Sequence, residues 1–263
     1  MTAYLVTDSA PMLRRSLRRM RRYPSLTFFI AIIPVLLLLL FTFVLGGTLG
    51  AGLGGAAIAG GRDAYVAYVT PGILLMTAAG AAQGTAISVA MDMTEGIIAR
   101  FRTMSIARAS VLAGHVVGSV IQAILALAIV LVVALLIGFR PTTGPLEWLA
   151  AFGLYVLTAI AIVWLSVGMG LVTDSVETAS NLPQILLLFL FVSSAFVPTD
   201  SMPAPIAWFA EHQPFTPIIE TIRGLLFGTP IGSSGIVAVA WCLLFTAIGY
   251  LWSRRLYERT PMR

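Results

Sequence analysis

A run of 20 residues without a single charge, Leu26–Leu45, constrains this chain more than any other feature of its sequence. A helix of that length crosses the hydrocarbon core of a bilayer, which is about 30 Å thick. A signal peptide is the rival interpretation, since arginines precede the run and small residues follow it. The run is longer than the roughly 15 apolar residues of a signal peptide, so we interpret it as a retained first membrane helix.

The whole chain has a membrane composition. Of its 263 residues, 59% are hydrophobic and only 10% are charged, whereas soluble domains carry about 25% charged residues. The fold class predicted is an all-α integral membrane protein with six transmembrane helices. The predicted spans are 26–45, 64–91, 112–138, 148–172, 182–198 and 232–253. The fifth is short between Pro183 and Pro198, so it crosses only if its flanks join it or the bilayer thins locally.

The arginines predict the orientation. All 16 basic residues are Arg, and with six spans 13 of them fall on the face that carries both termini. The other face holds Arg62, Arg140 and Arg223. By the positive-inside rule both termini are cytoplasmic. We expect the membrane to be a bacterial plasma membrane. No nucleic-acid partner is expected, because that would require a solvated basic face with accessible aromatics.

Enzyme motifs are absent from the sequence. A P-loop requires Lys, and the chain has none, so it cannot bind ATP through a P-loop of its own. We expect no catalytic residue, no metal site and no cofactor on this chain. No Asp, Glu or Arg lies in the middle of a predicted span, which argues against proton- or sodium-coupled transport. His115, a lone histidine near the end of the third span, is interpreted as a packing or interface residue.

Two basic segments flank the first two spans. Residues 12–23 predict an amphipathic helix in the cytoplasmic interface, which either braces the first span as an elbow or only fixes the topology. Residues 92–108 predict a second short helix, with Asp92 and Glu95 as its capping box. It either docks on a soluble partner or lies on lipid. The elbow residues are Arg14, Leu17, Arg18 and Met20, and those of the loop are Glu95, Ile97, Arg100, Phe101, Arg102, Met104 and Arg108.

The segment before the last span is too apolar for a solvated linker. Residues 203–228 predict two short helices that re-enter the outer leaflet, which is tolerated only where the backbone is buried in protein or lines a cavity. The side chains predicted to form a gate there are Trp208, Glu211, Glu220 and Arg223. Glu220 and Arg223 are three residues apart in a helix and are expected to pair, with a direct role toward substrate as the alternative.

Polar residues in the second and fifth spans have two interpretations. They either form hydrogen bonds between helices or line a translocation path. The residues are Gln83, Thr85, Ser88, Asn181, Gln184, Ser193 and Ser194. Gly80 and Gly84, four residues apart, are interpreted as a site of close helix packing.

Four segments in this order resemble the permease subunits of type-2 ABC exporters, most closely those of drug resistance. They are YVTPGILLM (Tyr68–Met76), EGIIARFRTMSIAR (Glu95–Arg108), FVPTDSMP (Phe196–Pro203) and QPFTPIIETIRGLLFG (Gln213–Gly228). The resemblance runs over nearly the whole chain. Two departures are Gln213 where many members carry Asn, and Ser105-Ile106 in place of a stretch with proline.

The resemblance implies an exporter of two permease subunits, identical or related, and two cytoplasmic ABC ATPase subunits that bind ATP and Mg. It implies that residues 92–108 are the coupling helix, that helices two and five line the path, and that the re-entrant pair closes it outside. The cargo implied is a hydrophobic or amphipathic compound, such as an anthracycline drug. The alternatives are export of a lipid, polyketide or polysaccharide, a non-transport membrane anchor or sensor, and an intramembrane enzyme.

Overall fold

The computed structural model describes residues 18, 20–22, 24–52, 61–94 and 108–259. Within that part of the chain every regular element is a helix, so the predicted all-α class is confirmed. The helices are α1 (Pro24–Leu40), α2 (Gly46–Gly52), α3 (Arg62–Thr94), α4 (Arg108–Leu136), α5 (Pro145–Val172), α6 (Val176–Asn181), α7 (Gln184–Phe191), α8 (Ala204–His212), α9 (Phe215–Phe227) and α10 (Ser234–Arg259). A π-helical segment, Phe41–Leu45, continues α1 into α2, and a 3-10 turn, Thr199–Ser201, precedes α8.

Five helical stretches of the described residues are long and apolar enough to cross a membrane. They are Thr27–Gly50, Arg62–Thr94, Leu112–Leu136, Pro145–Val172 and Ser234–Glu258. Their lengths of 24 to 33 residues exceed the roughly 20 that a bilayer requires. The chain is therefore a multi-pass membrane protein.

The fifth predicted span has a different structure. A continuous helix over 182–198 is expected from the sequence, but the helical residues are α6 and α7, with a break between them and an end at Phe191. Pro183 has no backbone N–H to donate, which interrupts the helix. Ser193 then ends it, because its hydroxyl donates to the Leu190 carbonyl and accepts from the Ala195 N–H.

The end of α3 also differs from the prediction. From the sequence, a loop is expected to start at Asp92, with that residue as a cap of the helix that follows. In the structure α3 continues to Thr94, and Asp92 is a buried residue in its last turn. The capping role is therefore wrong, because a cap lies at the first residue of a helix rather than inside the preceding one.

α3 and α5 form the centre of the bundle: most residues of α3 are buried, and so are nearly half of those of α5. Small residues let these helices approach closely: a Cβ on Gly170 of α5 would lie 2.6 Å from the Ala86 carbonyl oxygen of α3. α1, α4 and α10 pack around the pair and expose large apolar side chains such as Phe29, Val132 and Leu243. Those faces suit contact with lipid.

The bundle has two ends, which we call upper and lower. At the upper end α3 begins, α4 ends and α9 packs between the helices. The loop after α4 is joined to α9 there, since the Thr142 N–H and the Thr143 hydroxyl both donate to the Leu226 carbonyl. At the lower end α3 stops at Thr94 and α4 starts at Arg108. α9 ends at Phe227 and is capped by Gly228, whose φ of +70° suits glycine.

Candidate functional site

A cavity of about 380 Å³ lies between α1, α3, α4 and α7. Its wall is mainly apolar, with Phe29, Ile33 and Met76 among the lining residues. Phe29 and Ile33 are more than half exposed, so the cavity opens beside α1. Six polar side chains interrupt the apolar wall, namely Gln83, Ser88, His115, Ser119, Gln122 and Gln184. An apolar space with a few polar groups is typical of a small-molecule site.

Gly84 keeps this space open. A Cβ on Gly84 would meet no other atom within 4 Å, whereas one on Gly80 would lie 3.1 Å from Cγ2 of Ile30. The interpretation of these two glycines as a packing site therefore holds for Gly80 and is wrong for Gly84. Proline at position 34 of α1 also lines the cavity.

Three of the predicted path residues line the cavity: Gln83, Ser88 and Gln184. The Gln83 side-chain amide donates a hydrogen bond of 2.8 Å to the Ser180 carbonyl, which ties α3 to α6. Thr85 is buried beside the cavity, with its hydroxyl 2.7 Å from that of Ser119 on α4. Gln83 thus both joins two helices and lines the cavity, while Thr85 joins helices.

The other three predicted path residues lie elsewhere. The Asn181 side-chain oxygen accepts a hydrogen bond of 3.3 Å from Gln184, at the break between α6 and α7. Ser193 and Ser194 are buried at the upper end, beyond α7. The Ser194 N–H donates to the Thr216 hydroxyl of α9 at 3.2 Å. The predicted path residues therefore divide into a cavity group and an upper group.

The upper group surrounds Arg223. Its guanidinium donates to the Tyr68 carbonyl at 3.1 Å and to the Ser194 carbonyl at 2.8 Å, and it lies 3.8 Å from the centre of the Tyr68 ring. We call Tyr68, Ser194 and Arg223 the upper cluster. It joins α3, the chain after α7, and α9 through one half-buried cation. Partial removal from water strengthens its hydrogen bonds and its cation–π contact.

The expected ion pair between Glu220 and Arg223 is not formed in the described residues. Arg223 turns to the two carbonyls instead, and the Glu220 carboxylate accepts a hydrogen bond of 3.4 Å from Ser234 of α10. Burial raises the pKa of Glu220, and the Arg223 charge partly opposes that shift. Trp208 and Glu211 lie on α8, where both are exposed and Trp208 stacks on His212.

Asp92 and His115 form a contact that the sequence analysis does not predict. His115 Nε2 lies 3.1 Å from the Asp92 carboxylate, with 15% and 5% of the two side chains exposed. One residue is near the lower end of α3 and the other near the start of α4. Consecutive spans joined by a loop are antiparallel, so residues at similar distances from that loop lie at the same depth. The similar distances of Asp92 and His115 from the loop between α3 and α4 could therefore have predicted this contact.

Only some of the residues predicted to be functional in the two basic segments lie within the described ranges. Arg18 is helical and exposed, and Met20 is half-buried and lines the cavity. Arg108 is the first residue of α4. The remaining predicted residues lie outside the described part of the chain, namely Arg14, Leu17, Glu95, Ile97, Arg100, Phe101, Arg102 and Met104.

Comparison with known proteins gives consistent matches. The model of the family described as ABC-2 type transporter matches residues 11–227. The chain is 27% identical over 247 residues to the daunorubicin resistance ABC transporter permease protein DrrB1 of Streptomyces coeruleorubidus, over 90% of this chain and 84% of that protein. It is 25% identical over 226 residues to the probable doxorubicin resistance ABC transporter permease protein DrrC of Mycobacterium tuberculosis, over 83% and 79%. The resemblance indicated by the sequence motifs is confirmed.

Proposed function

The chain belongs to the ABC-2 type transporter family, and on that premise we propose that it is the permease subunit of an ATP-driven exporter. The cargo is a hydrophobic or amphipathic compound, moved out across the bacterial plasma membrane. The observation that carries this proposal is the mainly apolar cavity with its six polar side chains. Such a lining binds an apolar body and orients it through a few polar contacts.

The cargo class is a drug or antibiotic such as an anthracycline. Two relatives carry daunorubicin and doxorubicin resistance in their names, and each aligns with more than 80% of this chain. The cavity supports the same class, because its polar groups are mostly amides and hydroxyls. A strongly hydrated ion would lose its water there without charged ligands in return, which is costly.

We propose six crossings rather than five, with α6 and α7 making the additional one. Two contacts support this: the Ser180 carbonyl accepts from Gln83, and the Phe196 carbonyl accepts from Tyr65 at 3.1 Å. Gln83 and Tyr65 are 18 residues apart in α3, which is about 27 Å along a helix. The broken segment therefore follows α3 across a distance close to the hydrocarbon thickness. Six crossings put both termini on the arginine-rich, cytoplasmic side.

Energy comes from a partner. Membership of the family implies an ABC ATPase subunit, and we propose a DrrA-like one, with two copies in each complex that bind ATP and Mg. A second permease subunit, this chain again or a related one, completes the transporter. Residues 92–108 are proposed as the coupling helix on the ATPase and residues 12–23 as the elbow helix in the lipid interface.

The proposed mechanism is alternating access. Closure of the two ATPases moves the coupling helices, and through them the lower ends of α3 and α4, which flank the coupling loop. α3 and α7 line the path, and the re-entrant α8 and α9 close it on the outside. The upper cluster supports this role for α9, because Arg223 holds it to both α3 and the chain after α7.

Filling the cavity tests the proposal. Gly84→Phe places a ring where a Cβ meets nothing within 4 Å, so we expect folding to persist and cargo to be excluded. Gly153→Phe is the matched control, because Gly153 is also open but lies on the exposed face of α5. Daunorubicin binding to the protein in nanodiscs is expected to weaken about tenfold or more in Gly84→Phe alone. If both variants bind daunorubicin with the affinity of the wild type, the cavity is not the cargo site.

A further inference from the structure

The contact between Asp92 and His115 has consequences for the cargo, and this inference rests on the proposed function. Both residues lie inside membrane-spanning helices, and the Asp92 side chain is almost fully buried. Ionisable residues are expensive in a membrane, and they mark functional sites there more often than elsewhere. His115 in addition lines the cavity, at its lower end.

The contact sets which imidazole nitrogen faces the carboxylate. An ionised carboxylate only accepts hydrogen bonds, so Nε2, at 3.1 Å from the Asp92 oxygen, donates its N–H to it. In neutral His115 the second nitrogen, Nδ1, is then a bare acceptor. No hydrogen bond to Nδ1 is formed within the described part of the chain, and the side chain borders the cavity. A carboxylate behind the imidazole also makes the far nitrogen a better acceptor.

The other polar side chains of the cavity are less selective. Gln83, Gln122 and Gln184 carry amides, and Ser88 and Ser119 carry hydroxyls. These groups both donate and accept, so they adapt to either kind of ligand. A bare imidazole nitrogen accepts only, and a cargo without a donor at that point would leave it unpaired in an apolar space. Sites of this kind discriminate strongly against ligands that lack the matching group.

We propose that His115 is a specificity-determining residue, whose Nδ1 accepts a hydrogen bond from a hydroxyl or protonated amine of the cargo. Asp92 is the positioning residue that holds the imidazole in the required tautomer. The cargo class narrows to amphipathic molecules that carry a hydrogen-bond donor beside an apolar body. This role goes beyond the interpretation of His115 as a packing or interface residue.

His115→Gln separates this role from a structural one. The Gln side-chain amide can take the place of the Nε2–H and keep the bond to Asp92, but it offers nothing in the position of Nδ1. We expect a melting temperature near that of the wild type and an affinity for daunorubicin about three- to tenfold weaker. His115→Asn is the complementary variant, since its side-chain oxygen supplies an acceptor near the position of Nδ1, and it should retain more affinity than His115→Gln.

The ligand is varied on the wild-type protein as well, so that the test does not depend on folding of a variant. Daunorubicin is compared with its N-acetyl derivative, in which the amine is no longer cationic. If the ammonium is the donor, acetylation weakens wild-type binding and reduces the effect of His115→Gln, because the remaining amide N–H is an uncharged and weaker donor. If a hydroxyl is the donor, His115→Gln weakens the binding of both ligands equally. Wild-type affinity of His115→Gln for both ligands would overturn the proposal.

The Gly84→Phe variant distinguishes this inference from the function on which it rests. If Gly84→Phe loses binding and His115→Gln does not, the cavity holds the cargo but His115 does not recognise it. If neither variant changes binding, or the wild type binds no daunorubicin, the cavity assignment fails and this inference fails with it. Loss in both variants, with Gly153→Phe unaffected, is the expected result.

Discussion

Gly72 of α3 and Ala195 lie so close together that a methyl group on Gly72 would stand 2.5 Å from the Ala195 Cβ. No flexible side chain is available to move aside, because the same methyl would also lie 3.0 Å from the Ala195 Cα. The contact holds the chain after α7 against the upper part of α3. Together with the upper cluster it fixes the outer end of the proposed path.

Gly72→Val should therefore push the segment after α7 away from α3. We expect a loss of about 1–3 kcal/mol in the free energy of unfolding, as for other overpacked sites. The measurement is thermal unfolding of the purified protein in a mild detergent. Gly153→Val is the control, because its Cβ would meet nothing within 4 Å, and equal melting temperatures for the two variants would contradict the packing described.

Arg223→Met tests the upper cluster. The substitution keeps much of the side-chain volume but leaves the carbonyls of Tyr68 and Ser194 without their donor, which costs about 1–3 kcal/mol when such groups are buried. Arg254→Met removes an exposed, solvent-screened pair with Glu258 and should have a smaller effect on the free energy of unfolding. Chemical unfolding compares the two, and a smaller effect at Arg223 than at Arg254 would refute the cluster as a stabilising contact.

Glu220 predicts a dependence of stability on pH. Its pKa is raised in the folded protein, first by burial, with Arg223 acting in the opposite direction and Glu211 in the same direction. The folded state thus retains the proton above the ordinary value of 4.5, where the unfolded chain has lost it. Stability should fall as pH rises from that value through the raised pKa. The melting temperature of Glu220→Gln, measured as a function of pH, should lack this fall. The same pH dependence in the wild type and in Glu220→Gln would show that Glu220 is not the titrating group.

Phe101→Asp tests the proposed coupling helix. A charge in the apolar stripe of that helix should weaken docking on the ATPase while membrane insertion remains normal. In Phe101→Asp we expect either ATP hydrolysis that no longer drives transport or a smaller amount of ATPase subunit purified with the permease. Glu95→Ala should have the same effect. Arg255→Ala, at an exposed position near the end of α10, is the control. Normal export by Phe101→Asp would reject residues 92–108 as the coupling segment.

The long spans were predictable from the sequence because each is an uncharged stretch of more than 20 residues. The broken crossing was not, because helix breaks at Pro183 and Ser193 depend on local hydrogen bonds that compete with the helix. The sequence of residues 182–198 predicts one apolar helix, but only α7 is helical within that range.

The site was less predictable for a related reason. Residue types indicated that Gln83, Ser88 and Gln184 belong to one region, and the structure brings them to one cavity. The same reasoning included Ser193 and Ser194, which lie at the upper end, since polarity says nothing about depth along the bundle. Gly72 and Gly84 look alike in sequence, but one is required by a close contact and the other leaves space open. Such distinctions depend on which helix is the neighbour.

Transport by the reconstituted complex tests the central claim most directly. The chain and its ABC ATPase are incorporated into liposomes, with the ATPases outside, and daunorubicin uptake is followed after addition of ATP and Mg. We expect daunorubicin accumulation that requires ATP, disappears in Gly84→Phe and persists in Gly153→Phe. Equal daunorubicin levels with and without ATP, in a complex that still hydrolyses ATP, would contradict it.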